Sequence, residues 1–279
     1  MCYFTMAKNT ETELIYSDPN SISPDRRSNL IPFIDYHTPA PTRCLDMILS
    51  KYYGNKFQTE VIMTSPEKRV APKLKCALSD ATLMLLTDGG LVPLSNPDRI
   101  PSSSANKFGI YPIGKMDTLL PGNYEVSHQG YDNSYVEEDP NRLIPLDALS
   151  DLTKKGIIKH IHPFFLSTTG VMMPKKQCEQ IAKQIAQYAV SHSVDAVLIT
   201  SACGTSTRSG AYIGLEIENK GIPVVQIANL THIALFTGLS RVVKGYNVCC
   251  PCGNPLLSPE DEILYRKQLV SDALHLLNK

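Results

Sequence analysis

Short apolar segments alternate with amphipathic segments from about residue 76 to the end of this chain. The apolar segments are rich in leucine and β-branched residues, which is typical of strands buried in a sheet. The amphipathic segments repeat apolar residues at helical spacing, which is typical of helices that cover a core. This pattern predicts strands at 81–87, 157–166, 194–200, 222–228 and 241–248. It predicts helices at 146–155, 174–191, 207–220, 229–238 and 258–277.

The clearest unit is the strand–loop–helix–strand between residues 194 and 228. Gly221 and Pro223 end its helix and the next apolar run follows at once, so its two strands are expected to be parallel. We predict an α/β fold with a mainly parallel sheet and flanking helices, Rossmann-like, built from two related βαβ halves. One half centres on the loop at Asp88 and the other on the loop at Cys203. Ligands bind at the carboxyl ends of such strands, so both loops are expected at one crevice.

Residues 1–75 differ from the rest because they are rich in proline and polar residues, with a helical pattern only at 43–53. We interpret 1–75 as an irregular, partly helical N-terminal extension that wraps a neighbour or covers a site. Disorder over the first thirty residues is the alternative. Residues 76–279 are predicted to form an α/β catalytic domain.

The 279 residues carry 27 basic and 27 acidic side chains, so the net charge is zero. This balance gives no reason to expect a nucleic-acid or acidic-membrane partner. No apolar run is as long as a membrane span, and the first residues lack the pattern of a secretory signal. The eight cysteines are scattered rather than regularly spaced. We therefore expect a protein of the reducing cytoplasm.

Cys203 has the sequence position of a reactive thiol. It follows a predicted buried strand and precedes a predicted helix, whose N-terminus stabilises a thiolate. Arg208 could add a positive charge if its side chain folds back over the loop. The alternative is an inert cysteine buried in a tight turn.

The loop after Cys203 has the composition of an anion site. Gly204, Thr205, Ser206 and Thr207 offer backbone N–H groups and hydroxyls at a helix start. The Walker pattern of phosphate-binding loops is missing. A phosphate and a substrate carboxylate both remain open as the bound anion.

Two histidines are candidates for proton transfer. His128 precedes Asp132, which could orient it as a base, although a solvated acidic loop explains the same residues. His162 shares a predicted strand face with His160 and is placed near the end of that strand. A metal shared by these two strand histidines would lack an evident third ligand.

Four segments together resemble a known enzyme family. They are TSACGTSTRSGAYIGLEIENKGIPVVQI at 200–227, LLTDGGLVP at 85–93, HQGYDNSYVEEDPNRLIPLDAL at 128–149 and GNPLLSPEDE at 253–262. They resemble the selenoprotein subunit of component B of glycine, sarcosine and betaine reductases, and a related subunit of D-proline reductase. The resemblance runs in order from about residue 78 to residue 277.

This resemblance implies an activity and a set of partners. The position of Cys203 is commonly selenocysteine in the family. The cysteine written there is either native or a replacement for selenocysteine. That residue attacks the α-carbon of the substrate and displaces the amine. A separate proprotein-derived subunit supplies a pyruvoyl group that activates the amine, and thiol or selenol partners such as a thioredoxin-like protein or a selenoprotein resolve the adduct.

Besides the cysteine at position 203 and an N-terminal region shorter than in the glycine-reductase relatives, the chain departs from the family at two places. Many relatives carry a cysteine where this chain has Ser209, and Cys249, Cys250 and Cys252 lie in a stretch that is typically free of cysteine. These three cysteines could supply a resolving thiol, could be structural, or could ligate an iron–sulfur cluster or zinc with Cys203. Adjacent cysteines on a strand point in different directions, which disfavours a single ion.

We therefore expect a reductase that cleaves a C–N or comparable carbon–heteroatom bond of a small carboxylated amine such as glycine, sarcosine, betaine or proline. Cys203 attacks, the loop residues 204–208 hold the carboxylate, and His128 or His162 protonates the leaving group. Asp132 is a further candidate for substrate binding. A homo-oligomer is also expected. The alternatives are an iron–sulfur- or metal-dependent redox protein on the same scaffold and a non-catalytic subunit.

Overall fold

A computed structural model describes residues 38–56 and 69–278. The chain separates into two compact units, Met1–Ser65 and Pro66–Lys279. The predicted boundary at residue 75 stays a prediction, and most of the predicted extension lies outside the described residues. In the first unit, helix α1 (Ala40–Tyr52) begins with a proline in its first turn and overlaps the helix predicted at 43–53.

The second unit contains the predicted alternation of strands and helices, with three additional short strands. Its strands are β1 (Thr82–Thr87), β2 (Leu91–Pro93), β3 (Gly109–Pro112), β4 (Tyr124–Val126), β5 (His160–Ser167), β6 (Ala196–Ser201), β7 (Val224–Ala228) and β8 (Val242–Lys244). Its helices are α2 (Ser134–Glu138), α3 (Leu146–Lys154), α4 (Lys175–Ser191), α5 (Gly204–Glu218), α6 (Thr231–Thr237) and α7 (Pro259–Leu277). Across residues 38–56 and 69–278, no helix has both the length and the apolar character needed to cross a membrane.

Six strands form one mixed sheet in the order β3-β5-β1-β6-β7-β8. All neighbouring pairs are parallel except β3 with β5. The predicted α/β class with a mainly parallel sheet is therefore confirmed. The edge strand β3 was not predicted, because a four-residue strand beside several turns gives a weak pattern. The two related halves are not confirmed by this order and stay a prediction.

The order of the strands places one switch point between β1 and β6. From β1 the chain moves to β5 on one side, and it then returns to β6 on the other side. Adjacent strands that are connected in opposite directions leave a crevice outside their carboxyl ends, where ligands bind in open α/β sheets. Asp88 follows β1 and Cys203 follows β6, so this crevice receives both loops.

The two central strands are apolar because helices cover both of their faces. Side chains 83–86 of β1 and 196–199 of β6 are completely buried. Helix α4 packs with Ile181, Ile185 and Ala189 inward. Helix α7 starts as predicted, with the Ser258 hydroxyl accepting the backbone N–H of Asp261.

Buried ion pairs attach helix α7 to the first turn of α3 and to the segment before it. Arg266 is 2% exposed and bonds Asp147 at 2.6 Å, Asp139 at 2.5 Å and the Cys252 carbonyl at 3.2 Å. Arg142 bonds both carboxylate oxygens of Glu262 at 2.9 and 3.0 Å. This network holds residues 139–147 against helix α7.

Removing Arg266 should strongly destabilise the fold. Arg266→Ala leaves the carboxyl groups of Asp139 and Asp147 partly buried without their partner, which typically costs about 3–5 kcal/mol. The matched control is Lys154→Ala, which removes an exposed ion pair with Asp117 and should cost under about 1 kcal/mol. Urea denaturation of both variants measures the difference. Equal, small losses would show that the network contributes little.

Candidate active site

Cys203 lies at the switch point, between the end of β6 and the start of α5. It is the N-cap residue of α5, with an extended backbone (φ −70°, ψ 179°), and its side chain is partly exposed. Its side chain does not cap the helix. The sulfur therefore remains available at the carboxyl edge of the sheet, as expected for a functional group in this class of fold.

Three polar side chains contact the sulfur of Cys203. Its Sγ is 3.5 Å from Thr205 Oγ1 and 3.6 Å from Ser206 Oγ. It is 3.8 Å from Nε2 of His128. The contact with His128 joins residues 75 positions apart in the chain. Of the two histidines predicted to transfer protons, His128 is the one that the structure places beside the sulfur.

The hydrogen bonds of His128 settle where its proton lies. Nδ1 accepts the backbone N–H of Gly130 at 2.9 Å, so a neutral ring carries its proton on Nε2. Nε2 then donates to Ser206 Oγ at 2.8 Å, and that hydroxyl donates to the Asp88 carbonyl at 3.2 Å. Burial lowers the pKa of His128 to about 4. At neutral pH His128 is therefore an uncharged hydrogen-bond donor, which corrects its expected role as the acid that protonates the leaving group.

Arg208 does not fold back over the thiol. Its Nη2 donates to the Met173 carbonyl at 3.0 Å. Burial raises the pKa of the Cys178 thiol, and the charge of Arg208 offsets part of that rise. The reason is helical geometry: residue 208 follows the N-cap by five positions, so its side chain leaves the helix about 140° away from that of Cys203. Ser206, three positions after Cys203, lies on the same side of the helix as Cys203.

Two other predicted residues lie away from the sulfur. Asp132 accepts the N–H and hydroxyl of Ser134 at 3.1 and 2.7 Å and is not a ring partner of His128. His162 is five residues before the end of β5, which is roughly 16 Å along a strand. The strand begins at His160 rather than 157, so His162 lies near its amino end. The assignment of His162 to the Cys203 crevice is therefore wrong.

Backbone N–H groups lie where the sequence predicts an anion site, which stays a prediction. The N–H groups of Gly204, Thr205 and Ser206 are in the first turn of α5 and have no acceptor within the helix. The Thr207 hydroxyl instead bonds the Cys203 carbonyl at 2.9 Å. The free N–H groups lie next to the sulfur and can bind a carboxylate or a phosphate.

The three late cysteines do not form a cluster. Cys250 and Cys252 are buried, and burial raises the pKa of Cys250 to about 11 and that of Cys252 further. Their sulfurs point to different acceptors, the Asn247 side chain and the Leu143 carbonyl. Within the part of the chain that the structure describes, no three His, Cys, Asp or Glu side chains are grouped to hold a metal. The donors therefore do not fit a cluster or zinc, and Cys249 is the partly exposed thiol of the three.

The sequence interpretation expected the loop at Asp88 in this crevice but assigned no role to Asp88 or Tyr131. Asp88 is completely buried, and burial raises the pKa of its carboxyl well above the usual range. Tyr131 packs its ring 4.6 Å from that of His128 and donates its hydroxyl to the Gly89 carbonyl at 2.8 Å. The polar Asp-Gly-Gly directly after the apolar β1 was the available signal for Asp88, but it also fits an ordinary turn.

Comparison with known proteins decides the family. The family model of glycine/sarcosine/betaine reductase selenoprotein B matches residues 20–202. The chain belongs to this family. The predicted resemblance is therefore confirmed.

Several curated relatives in the family are named components of reductase complexes. Glycine reductase complex component B subunit gamma of Peptoclostridium acidaminophilum is 41% identical over 235 residues, which are 84% of this chain and 54% of that protein. Betaine reductase complex component B subunit beta of the same organism is 39% identical over 240 residues, 86% and 55% of the two chains. D-proline reductase subunit gamma of Acetoanaerobium sticklandii is 31% identical over 188 residues, 67% and 75%. The chain spans about half the length of the glycine and betaine reductase subunits. Comparison with solved structures finds no match.

The stability of the fold should fall on acidification because of His128. Its folded pKa is about 4, below the usual value near 6.5, so between these pH values the unfolded chain binds a proton that the folded chain rejects. The loss begins below about pH 6.5 and is complete below about pH 4, and it amounts to about 3 kcal/mol.

Urea denaturation at a series of pH values measures this loss. His128→Gln should flatten the dependence over this interval, whereas His160→Gln, on an exposed ring, should leave it unchanged. An unchanged slope in His128→Gln would show that the buried ring is not the cause.

Proposed function

We propose that this chain carries the nucleophile of a reductase that cleaves the C–N bond of a small carboxylated amine such as glycine, sarcosine, betaine or proline. The observation that carries the proposal is the partly exposed Cys203 sulfur at the switch point, within 3.8 Å of the Nε2 of a neutral His128. The names of the relatives, all reductase subunits for these amines, support the same substrate class.

The first step is a displacement at carbon. The Cys203 thiolate attacks the α-carbon, a C–S bond forms, and the C–N bond breaks with its electron pair leaving on the amine. The Thr205 hydroxyl, 3.5 Å from the sulfur, holds the attacking thiolate by a hydrogen bond. The His128 ring lies beside the sulfur, with its Nε2–H donated to Ser206. The N–H groups of Gly204, Thr205 and Ser206 bind the substrate carboxylate, a role for which Arg208 is turned the wrong way.

Activation of the amine comes from outside this chain. An amine is a poor leaving group, and the uncharged imidazole of His128 is a weak acid. A pyruvoyl group on a partner subunit would convert a primary or secondary amine into a cationic Schiff base, which leaves more readily. The nitrogen of the departing amine therefore takes up its proton from that partner or from water.

The second step is a reduction. A dithiol partner, thioredoxin-like or a selenoprotein, supplies two electrons and two hydrogens to the Cys203 adduct. The C–S bond breaks, the acid is released with one hydrogen on its α-carbon, the thiol of Cys203 recovers the other, and the partner becomes a disulfide. Cys249 is the remaining candidate for a resolving thiol within the chain. The homo-oligomer and the cytoplasmic location stay predictions.

Alkylation and turnover test the proposal together. At neutral pH, iodoacetamide should modify Cys203 at least about tenfold faster than the buried Cys178, since the reagent needs access and a thiolate. Cys203→Ser should lower turnover with the partner subunits about a thousandfold or more, because the covalent route is lost. Cys178→Ser is the matched control and should retain turnover. Full turnover in Cys203→Ser would exclude the proposed nucleophile.

A further inference from the structure

The side chain of Asp88 lies beneath the first turns of helix α5. Its Oδ2 lies 3.3 Å from the Ser209 hydroxyl, which also lies 3.1 Å from the carbonyls of Thr205 and Ser206. Ser201 and the backbone of Gly210 stabilise the charged form of the carboxyl group. Ser201 in turn accepts the side-chain amide of Gln226 at 2.8 Å. Asp88 therefore connects β1, β6 and, through Ser201, β7 to the helix that begins at Cys203.

The helix approaches Asp88 so closely that a glycine is needed at the contact. A Cβ on Gly210 would be 2.7 Å from Asp88 Oδ2 and 2.5 Å from Ser201 Oγ, distances that real Cβ atoms do not show. The same is true of Gly170, where a Cβ would be 2.1 Å from Ser209 Oγ. The hydroxyl of Ser209 is thus enclosed between Asp88 and Gly170, and the start of α5 has little freedom to shift.

The surroundings of Asp88 favour an uncharged acid. It is completely buried, no cation bonds it, and its Oδ1 has no hydrogen-bond partner among the described residues. An ionised carboxylate with one unbonded oxygen would be costly there. Cys203, Cys178 and Tyr131 are the titratable groups that act on it or feel its charge, and a negative charge on Cys203 opposes a second one on Asp88.

The backbone carbonyl of Asp88 is linked to the Cys203 sulfur through one residue, Ser206. Its carbonyl accepts the N–H of Gly170 at 2.9 Å and the hydroxyl of Ser206 at 3.2 Å. Ser206 Oγ is also 2.8 Å from His128 Nε2 and 3.6 Å from Cys203 Sγ. A shift of Asp88 would therefore move the hydroxyl that touches both the imidazole and the thiol.

We propose that Asp88 is a positioning residue for the Cys203 thiol. As a buried, uncharged carboxylic acid it locks the first turns of α5 onto the end of β1 and so keeps Ser206 and His128 at the sulfur. It acts through Ser206 and Ser209 and does not touch the substrate. The proposal rests on the proposed function only for the role of Cys203 as nucleophile.

Rescue by an isosteric amide tests this proposal. Asp88→Asn keeps the shape and the neutral charge, so iodoacetamide should alkylate Cys203 within about twofold of the native rate at neutral pH. Asp88→Ala removes the contacts with Ser201 and Ser209, and the rate should fall about tenfold or more while the alkylation of Cys249 stays unchanged. Quantification of the Cys203 and Cys249 peptides by mass spectrometry gives both rates.

Milder variants keep the test decisive if Asp88→Ala does not fold. Ser209→Ala removes one contact with Asp88 and should slow alkylation of Cys203 about threefold. The matched control is Ser150→Ala, which removes a buried hydroxyl of α3 that bonds Asp117 and should leave the rate unchanged. A native rate in Ser209→Ala and in any folded Asp88→Ala would overturn the proposal. An Asp88→Asn rate as low as that of Asp88→Ala would show that the charged form is needed, which also overturns it.

Alkylation and turnover separate this proposal from the proposed function. If Cys203→Ser retains turnover while Asp88→Ala slows alkylation, the reductase mechanism is wrong and the positioning role stands. If Cys203→Ser is inactive while Asp88→Ala alkylates at the native rate, the positioning role alone is wrong.

Discussion

The hydrogen bond from the Ser206 hydroxyl to the Asp88 carbonyl joins residues 118 positions apart. It links the loop after β1 to the start of helix α5, and the other residues of the site lie around it. The same hydroxyl accepts from His128 and lies 3.6 Å from the Cys203 sulfur. The parallel sheet sets where the two strands end, and this bond sets how the helix starts above them. A change in the strand order would leave Cys203 without its neighbours.

The groups around the Cys203 sulfur are uncharged hydrogen-bonding groups, whereas the sequence suggested charged side chains there. Arg208 bonds a backbone carbonyl, Asp132 bonds Ser134, and His128 is neutral. Asp88 is buried, and none of the described residues bonds it with a cation. Hydrogen-bond donors fixed in a partly dry crevice can stabilise a developing negative charge without reorganising. Neutral neighbours also avoid the cost of a buried unpaired charge before the substrate arrives. The charge that the proposed reaction requires would come with the substrate carboxylate and the cationic Schiff base.

Sequence patterns predicted the parts of the structure that follow from local rules. The buried strands, the helix start at Ser258 and the position of Cys203 between β6 and α5 all depend on a few neighbouring residues. Side-chain directions were predicted less well, since they depend on the turn of a helix or the exact start of a strand. Arg208 was one such case, turned by about 140° from the N-cap. His162 was another, because it was placed near the carboxyl end of β5 although five residues separate it from that end. Asp88 could not be assigned a role without the tertiary contacts of α5.

In the proposed reaction, the sulfur of Cys203 is the atom that bonds the substrate carbon. Mass spectrometry of the trapped intermediate tests it directly. The complete reductase is incubated with carbon-labelled glycine, and in parallel with labelled sarcosine and betaine, without the dithiol reductant, and is then quenched and digested. A labelled carboxymethyl group is expected on the Cys203 peptide and none on the peptides of Cys178 or Cys249. Label on another cysteine, or labelled product released while Cys203 stays unmodified throughout, would contradict it.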